Sequence, residues 1–412
     1  MNILIVTQYF WPENFKVNDL ALEFKKRGHK VTVLTGEPNY PEGKFYSGYS
    51  FFRPKRELWN GIEINRIPLI PRGNGKGFYL LLNYISFALS GYFLAPSRLK
   101  KQSFDLIFVF QLSPITLAIP AIRIKQKMGI PMYFWVLDLW PETLYALGVV
   151  KSKLGKKWVE QFVKWIYSNC DKLLISSYSF KKSLLHHGVQ ENRIIYLPNW
   201  AEDVFTNPTL SSSISDVMEK RFSDLEGNFK IMFAGNIGEA QDIDTVLNAA
   251  VLLKDRKNIT WLFVGDGRFR VHLEEAINSR GLSETVYLLG RHPIEAMPYF
   301  FSKADVMLAS LKPDPVFALT VPAKIQTYMA SKKPILSMVS GEGNTIVQKA
   351  ACGLTCESGD YVQLAHNASL MAQYSSQELS DIGENGFAFY SQNFQKDKLI
   401  DRLENFLSSE FD

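Results

Sequence analysis

The apolar residues of the chain predict alternating strands and helices, most clearly in its second half. The apolar run 231–234 is followed by a turn that contains Gly235, Asn236 and Gly238. Apolar residues then recur at helical spacing over 244–253, which predicts an amphipathic helix. This segment therefore has the order strand, glycine turn and helix.

The next segment repeats that order with the run 260–264, the turn 265–268 and a helical pattern over 271–277. Apolar strands that alternate with helices predict a parallel sheet covered on both faces. Such a sheet binds ligands at the carboxyl ends of its strands, where glycine lets the backbone approach an anion and helix N–H groups attract it. Two ordinary strand-to-helix turns would give the same pattern.

The start of the chain predicts a second unit of the same kind. Residues 2–7 and 31–35 read as strands, and residues 18–27 between them read as a helix that Gly28 ends. The proline-containing loop 37–43 follows the carboxyl end of a strand, so it lies at the edge where a ligand would bind.

The remaining pattern extends both units to an α/β protein with two Rossmann-like domains, each built on a parallel sheet. The predicted domains are residues 1–198 and 199–388, and a helix at about 389–412 is expected to cross back onto the first domain. The polar run 198–228, which includes Ser211–Ser213, is expected to connect them. Further strands are predicted at 106–110, 131–137, 172–175, 194–197, 286–289, 306–309 and 334–338.

Residues 78–95 contain no charged side chain and are flanked by cations such as Lys76 and Arg98. Their length is at the threshold for a membrane-spanning helix. Two other interpretations remain open, a helix buried in the core and a helix that lies in the membrane interface with its tyrosines near the headgroups.

Charge is distributed unevenly along the 412 residues, whose net charge is +5. Residues 1–200 carry a balance of +14 and residues 201–412 a balance of −9. The basic half suits an anionic surface, and the chain shows no nucleic-acid-binding motif, so we expect contact with the inner membrane surface and none with nucleic acid. A basic, solvated face is the alternative.

The three cysteines, Cys170, Cys352 and Cys356, favour a reduced cytoplasmic setting over a disulfide framework. No histidine lies near the last two, and neither domain shows a carboxylate cluster, so we expect no metal or other cofactor. The first residues already have a strand pattern, so no signal peptide is expected.

Two carboxylates follow the predicted strand 131–137. Asp138 and Glu142 could each orient an acceptor hydroxyl or accept its proton. Alternatively, Asp138 caps the following helix, and Glu142 has only a structural role.

The cations of the second half offer candidates for phosphate binding. Lys324 follows Val321 and Pro322 at the start of a predicted helix, where an ammonium group and free N–H groups suit a diphosphate; otherwise it is a surface lysine. Arg268 and Arg270 follow the second glycine turn, although Arg270 could instead pair with Glu274.

These residues belong to stretches that resemble the family-4 retaining glycosyltransferases, in particular the WbuB-like branch. The resemblance covers nearly the whole length and implies the GT-B fold of that family, in which two Rossmann-like domains have parallel sheets that face across a cleft. The stretches are Gln8-Tyr9-Phe10-Trp11-Pro12-Glu13-Asn14-Phe15, Arg27-Gly28-His29-Lys30-Val31-Thr32-Val33, Pro38-Asn39-Tyr40-Pro41-Glu42-Gly43, Asp138-Leu139-Trp140-Pro141-Glu142, Ala234-Gly235-Asn236-Ile237-Gly238, Val264-Gly265-Asp266-Gly267 and Val321-Pro322-Ala323-Lys324.

The chain departs from the family pattern at several positions. Asn236 and Asp242 stand where relatives often have Arg and Lys, and Leu319 and Thr327 stand where the family has paired glutamates. Near the first helix the glycine pair of many relatives is absent, and Lys16 could supply charge there instead.

The resemblance implies transfer of a sugar, such as N-acetyl-L-fucosamine or another N-acetylhexosamine, from a UDP-sugar to a lipid-linked saccharide in O-antigen or capsule synthesis. A sugar-nucleotide epimerase or an inactive membrane-bound scaffold would be the alternatives. Expected acceptor-binding residues are Lys16, Asn39 and Tyr40. Expected donor-binding residues are Gly235, Asn236, Gly238, Arg268, Arg270, His292, Thr320, Val321, Pro322 and Lys324.

Overall fold

The computed structural model describes residues 1–52, 55–73, 75, 77–146, 148–207 and 215–411. The chain forms two compact units, Met1–Leu197 and Pro198–Asp412. Lys76 and Ser211–Ser213, which the sequence assigned to a helix flank and an interdomain loop, lie outside the described residues.

The first unit contains an eight-stranded sheet in the order β3-β4-β2-β1-β5-β6-β7-β8. All described pairs are parallel except β3 with β4, a hairpin that the sequence did not predict. The strands are β1 (Asn2–Val6), β2 (Lys30–Gly36), β3 (Arg56–Trp59), β4 (Ile62–Ile67), β5 (Leu106–Gln111), β6 (Met132–Val136), β7 (Lys172–Ile175) and β8 (Ile194–Tyr196).

Helices connect these strands, as the alternating pattern predicts. They are α1 (Lys16–Lys26), α2 (Gly77–Arg98), α3 (Ala118–Met128), α4 (Glu142–Ala146), α5 (Lys153–Asn169) and α6 (Phe180–His186). Strands β1, β5 and β6 are almost wholly buried, which explains their uninterrupted apolar runs. Helix α3 packs against both α2 and α5.

The second unit contains a six-stranded parallel sheet in the order β11-β10-β9-β12-β13-β14. Its strands are β9 (Phe229–Ala234), β10 (Ile259–Val264), β11 (Val286–Gly290), β12 (Val306–Ser310), β13 (Ile335–Met338) and β14 (Gly353–Cys356). Met232 belongs to one apolar cluster, and its neighbours Ile231 and Phe233 belong to another. Alternate residues therefore build a core on each face of the sheet.

The helices of the second unit begin before its sheet and continue to the end of the chain. They are α7 (Asp203–Thr206), α8 (Asp216–Asp224), α9 (Ile243–Leu252), α10 (Arg270–Ser279), α11 (Met297–Lys303), α12 (Pro315–Ala318), α13 (Ala323–Ala330), α14 (Glu342–Lys349), α15 (Tyr361–Met371), α16 (Ser376–Asn393) and α17 (Lys396–Phe411). The predicted terminal helix is thus two helices, interrupted at Phe394. Its crossing onto the first unit stays a prediction.

Helix α2 is neither fully buried nor fully exposed. Asn83, Phe87, Ala88, Gly91 and Ala95 form its buried face. The opposite face exposes large apolar side chains, so the interpretation as a wholly buried core helix is wrong. These side chains are Phe78, Tyr79, Leu81, Ile85, Leu89, Phe93 and Leu94.

Candidate functional site

The second sheet has a topological switch point between β9 and β12. From β9 the chain runs outward through β10 and β11, then returns to the other side of β9 to form β12. The connections that leave the carboxyl ends of these two strands diverge, which opens a crevice for a ligand. The loop after β9 begins at Gly235.

The two predicted glycine turns contact each other through their backbones at this edge. Gly235 has φ +135° and Gly265 has φ +140°, a conformation that favours glycine. A Cβ atom on Gly265 would lie 1.9 Å from the carbonyl oxygen of Gly235, and one on Gly267 would lie 2.2 Å from that of Ile237. Close contact between the loops therefore requires both glycines of the second turn.

The Lys324 side chain extends over the first turn. Its Nζ lies 3.8 Å from the position of a Cβ atom on Gly235 and 3.7 Å from the centre of the Phe233 ring. It donates a hydrogen bond of 2.7 Å to the side-chain oxygen of Gln241. Burial lowers the pKa of Lys324 to about 7. No ion pair joins this ammonium to a carboxylate of the described residues, so a bound diphosphate would supply the negative charge that the ammonium lacks as a partner.

Gln241 was not predicted as a site residue. It lies in a short 3₁₀ turn after Gly238, and its backbone carbonyl accepts a 2.7 Å hydrogen bond from Ser310 Oγ at the end of β12. The backbone N–H of Lys312 donates to the Ala240 carbonyl at 3.0 Å. These bonds fix the loop across the switch point and hold the partner of Lys324 in place.

Helix α13 starts beside this lysine, as the sequence predicts. Pro322 is its N-cap, and Val321 is buried. Thr320 is engaged within the preceding turn, where its N–H donates to the Phe317 carbonyl at 3.0 Å. The first-turn N–H groups of Ala323 and Lys324 have no acceptor within the helix, as at any helix start, and are available to an anion.

Other residues that the sequence predicts to bind the donor have different surroundings in the structure. Arg270 donates to Glu274 at 2.9 Å, the alternative that the sequence left open, and its guanidinium also lies 3.9 Å from Asp266. Nε2 of His292 lies 2.9 Å from the Leu289 carbonyl oxygen. Arg268 is exposed on the second glycine turn. The structure therefore brings Lys324 together with Gly235, whereas Arg270 and His292 are held by neighbouring residues.

Asp138 lies after β6 in the first unit, and its side chain binds the following turn. It accepts hydrogen bonds from Trp140 Nε1 at 3.0 Å and Thr143 Oγ1 at 2.7 Å. Gln111, the last residue of β5, donates to the Asp138 carbonyl at 2.8 Å. The carboxylate is partly exposed, so it can still accept a further hydrogen bond from a hydroxyl.

Glu142 is held by helix α6. It accepts a hydrogen bond from Ser183 Oγ, and His187 Nε2 lies 3.3 Å from the same oxygen. Burial alone would raise the pKa of Glu142, but these hydrogen bonds outweigh burial and lower it. The structural role considered for Glu142 fits this arrangement better than proton transfer does.

Glu13 organises the loop that carries the predicted acceptor residues, a role that the sequence did not indicate. Its buried carboxylate accepts hydrogen bonds of 2.7 Å from the backbone N–H groups of both Asn39 and Tyr40. Burial raises the pKa of Glu13 to about 7 although these bonds oppose the shift. A carboxylate between aromatic residues in the stretch 8–15 is the signal that could have found it.

The predicted acceptor residues differ in exposure. Asn39 is fully buried and its side chain binds the backbone of Glu37 and Arg72, so it positions the loop rather than contacting a ligand. Tyr40 is 37% exposed. Lys16 is partly exposed at the start of α1.

Comparison with known proteins gives matches in both units. Residues 17–203 match the family described as Glycosyltransferase Family 4, and residues 228–373 match Glycosyl transferases group 1. The probable glycosyltransferase WbjE of Pseudomonas aeruginosa is 27% identical over 282 residues, which cover 66% of this chain and 67% of WbjE. The putative colanic acid biosynthesis glycosyl transferase WcaI of Escherichia coli (strain K12) is 28% identical over 311 residues, 74% of each protein.

The crystal structure of HepE from Anabaena, in complex with UDP and glucose, superposes with a TM-score of 0.69 at 15% identity. The match covers 99% of this chain and 100% of the HepE chain. Two Rossmann-like units with parallel sheets give this protein the GT-B fold, as predicted. The chain is a glycosyltransferase, with a family-4 domain in its first unit and a group 1 domain in its second.

Proposed function

We propose that this glycosyltransferase moves a sugar from a UDP-sugar onto a lipid-linked saccharide during synthesis of a bacterial surface polysaccharide, with retention of configuration. The relative WcaI is described as a colanic acid biosynthesis enzyme, and HepE was crystallised with UDP. The sequence features of the WbuB-like branch favour an N-acetylated sugar such as N-acetyl-L-fucosamine. The observation that carries the proposal is Lys324, which lies over the Gly235 turn and has no carboxylate partner in the described part of the chain.

The departing diphosphate is where the protein would contribute most to catalysis. Negative charge develops on that group as the bond to the sugar breaks, and fixed donors stabilise it without reorganisation. Lys324 and the first N–H groups of α13 supply a cation and dipoles at one place. With this charge in position, the transfer requires no metal ion. Asp138 would orient the acceptor hydroxyl with its remaining lone pairs.

The first unit would rest on the inner face of the cell membrane. Helix α2 is the one described helix long and apolar enough to span a bilayer. Its buried face packs on α3, so spanning would require its detachment, whereas its exposed apolar face can enter the interface as it stands. Helix α5 adds the exposed side chains of Trp158 and Trp165 beside several lysines. The enzyme would be a peripheral cytoplasmic protein.

Turnover of a panel of UDP-sugars with a lipid-linked acceptor tests this function. Lys324→Ala should lower turnover by about 10²-fold or more, as loss of one oxyanion donor does. Lys349→Ala, which removes an exposed cation from the same unit, is the matched control and should keep wild-type turnover. Equal rates in both variants would remove Lys324 from the site. Binding of UDP-sugars without any transfer would favour the inactive scaffold, and epimerised donor without acceptor would favour the epimerase.

A further inference from the structure

An aromatic and cationic cluster lies at the carboxyl edge of the first sheet and is not explained by the donor site. Tyr9 follows β1, Tyr40 follows β2, and Phe15 precedes α1. The Phe15 ring centre lies 5.3 Å from that of Tyr9 and 5.1 Å from that of Tyr40. The guanidinium carbon of Arg72 lies 4.8 Å from the centre of the Tyr40 ring. We refer to Tyr9, Phe15, Tyr40 and Arg72 as the Arg72 cluster.

No carboxylate of the described residues neutralises the charge of this cluster. Arg72 is partly buried, and the described residues include no carboxylate within ion-pair distance of its guanidinium. Its contacts are with aromatic rings, which leave its fork of N–H donors available. A guanidinium in this state matches the geometry of a phosphate or diphosphate.

Hydrogen bonds to the backbone hold the cluster in position. The carboxylate of Glu13 fixes the backbone of Tyr40, and the side-chain oxygen of Asn39 accepts a 3.0 Å hydrogen bond from the Arg72 N–H. Tyr46 donates a further hydrogen bond of 2.7 Å from its hydroxyl to the Tyr40 carbonyl. The backbone that carries Tyr40 and Arg72 is therefore ordered before a ligand binds, which lowers the entropic cost of binding.

The cluster also has a fixed relation to helix α2. Asn83 of this helix donates to the Ile70 carbonyl at 2.6 Å, and Ser86 accepts from the Ile70 N–H at 2.8 Å. Asn83 Oδ1 also accepts from the Tyr9 hydroxyl at 3.2 Å. Arg72 is two residues beyond Ile70, so the cluster lies beside the amino-terminal half of the helix whose other face exposes apolar side chains.

We infer that the Arg72 cluster binds the phosphate-bearing end of a glycosylated lipid acceptor, with Arg72 on the phosphate groups and the exposed Tyr40 ring against the first sugar. The inference rests on the proposed function for the identity of the acceptor as a lipid-linked saccharide. A lipid-linked diphosphate stands at the bilayer surface, next to the exposed face of α2. The apolar C–H face of a pyranose packs on an aromatic ring, while its hydroxyls remain accessible for transfer.

Calorimetric titration of the full-length protein in detergent tests the site with three probes. The probes are a short-chain prenyl diphosphate, the same molecule carrying N-acetylglucosamine, and UDP. Arg72→Met should weaken both prenyl probes by roughly 10- to 100-fold, the effect of losing hydrogen bonds to a charged group. Its affinity for UDP should remain within about twofold of wild type, since UDP is assigned to the second unit.

Further variants separate the proposed phosphate contact of Arg72 from the proposed sugar contact of Tyr40. Tyr40→Leu should weaken the glycosylated probe more than the bare diphosphate, and Tyr40→Phe should restore wild-type binding because the ring is kept. Lys101→Met, which removes an exposed cation just before β5 at the amino edge of the same sheet, should bind all three probes as wild type does. Thermal unfolding of each variant reports whether it has folded.

Three results would overturn the inference. The first is wild-type protein that binds UDP but neither prenyl probe; it would leave the proposed donor site intact. The second is equal loss of UDP and prenyl affinity in Arg72→Met, which would assign Arg72 to the donor. The third comes from a separate measurement of binding to phosphatidylglycerol vesicles. If Arg72→Met lost as much vesicle binding as prenyl affinity, Arg72 would be a general headgroup contact. Binding of the prenyl probes without UDP binding would instead contradict the proposed function and support the cluster.

Discussion

Burial shifts two titratable side chains in opposite directions and brings the pKa of each to about 7. Desolvation disfavours the charged form, so it raises the pKa of the Glu13 carboxyl and lowers that of the Lys324 ammonium. Three backbone N–H groups stabilise the Glu13 carboxylate, whereas among the residues that the structure describes Lys324 has only the Gln241 side chain and the Phe233 ring as partners. The first is a structural clamp, and the second is suited to receive an anion.

The Glu13 clamp predicts a pH-dependent stability. The folded-state pKa lies above the ordinary value of 4.5, so the folded protein binds more protons than the unfolded chain between pH 4.5 and 7. The contribution of Glu13 to the free energy of unfolding is fully present below pH 4.5 and is lost as the pH rises through 7. Between pH 4.5 and 8 the unfolding free energy of the wild type should therefore fall. In Glu13→Gln this fall should be smaller by an amount on the order of 3 kcal/mol, because the titrating carboxyl is absent.

Urea denaturation at several pH values measures this difference. Glu63→Gln, at a partly exposed carboxylate in the same unit, is the control and should keep the wild-type dependence. If the unfolding free energy of Glu13→Gln changed with pH as that of the wild type does, the Glu13 carboxylate would not be the cause of the pH dependence.

At the scale of elements, the glycine turns after β9 and β10 depend on each other. The N–H of Gly235 donates to the Val264 carbonyl at 2.9 Å, and that of Ile237 donates to the Asp266 carbonyl at 2.9 Å. The loops are thus joined backbone to backbone, and their shape sets the position of the Gly235 turn beneath Lys324. A side chain on the second turn would disturb the first.

Gly265→Ala should destabilise the second unit by about 3 kcal/mol or more, because it combines a steric clash with a disfavoured backbone conformation. Gly281→Ala is a matched control: its φ is also positive, at +66°, but no atom lies within 4 Å of the new Cβ. That variant should lose only about 1–2 kcal/mol. Equal losses in denaturant unfolding would contradict the packing described for the two turns.

Helix α2 gives a prediction about membranes. Leu89→Asp with Phe93→Asp places charges on its exposed face and should lower partition into anionic vesicles by about tenfold or more. Val217→Asp with Val271→Asp alters two side chains of similar exposure in the second unit and should have little effect. Co-sedimentation measures both, and equal partition of the two double variants would eliminate α2 as the contact.

The elements were more predictable from sequence than the site was. Uninterrupted apolar runs and glycine turns identify strands such as β1, β9 and β10, because local patterning and burial agree there. The hairpin of β3 and β4 was missed because its strands are short and half of their residues are polar. Lys324 was a candidate from sequence because of the proline at the helix start, whereas the placement of Gln241, Glu13 and Arg72 depends on loops that meet only in the folded protein.

At the scale of the whole molecule, the charge balance fits the two tasks that we propose for the units. The first 200 residues carry +14, which suits an anionic membrane and a phosphate-bearing acceptor. The remainder carries −9, so its overall field repels a nucleotide diphosphate. The proposed donor binding in that unit would therefore rely on local groups at the switch point, among which Lys324 lies over the glycine turn.

Proton uptake on UDP binding tests this central claim most directly. With a pKa of about 7, Lys324 is largely neutral at pH 8 in the free protein, and a bound diphosphate would restore its charge. Calorimetry in two buffers of different ionisation enthalpy should show uptake of about one proton per UDP in the wild type and none in Lys324→Met, whose affinity should fall by about 10²-fold. Equal affinity and equal proton uptake in the two proteins would contradict the account.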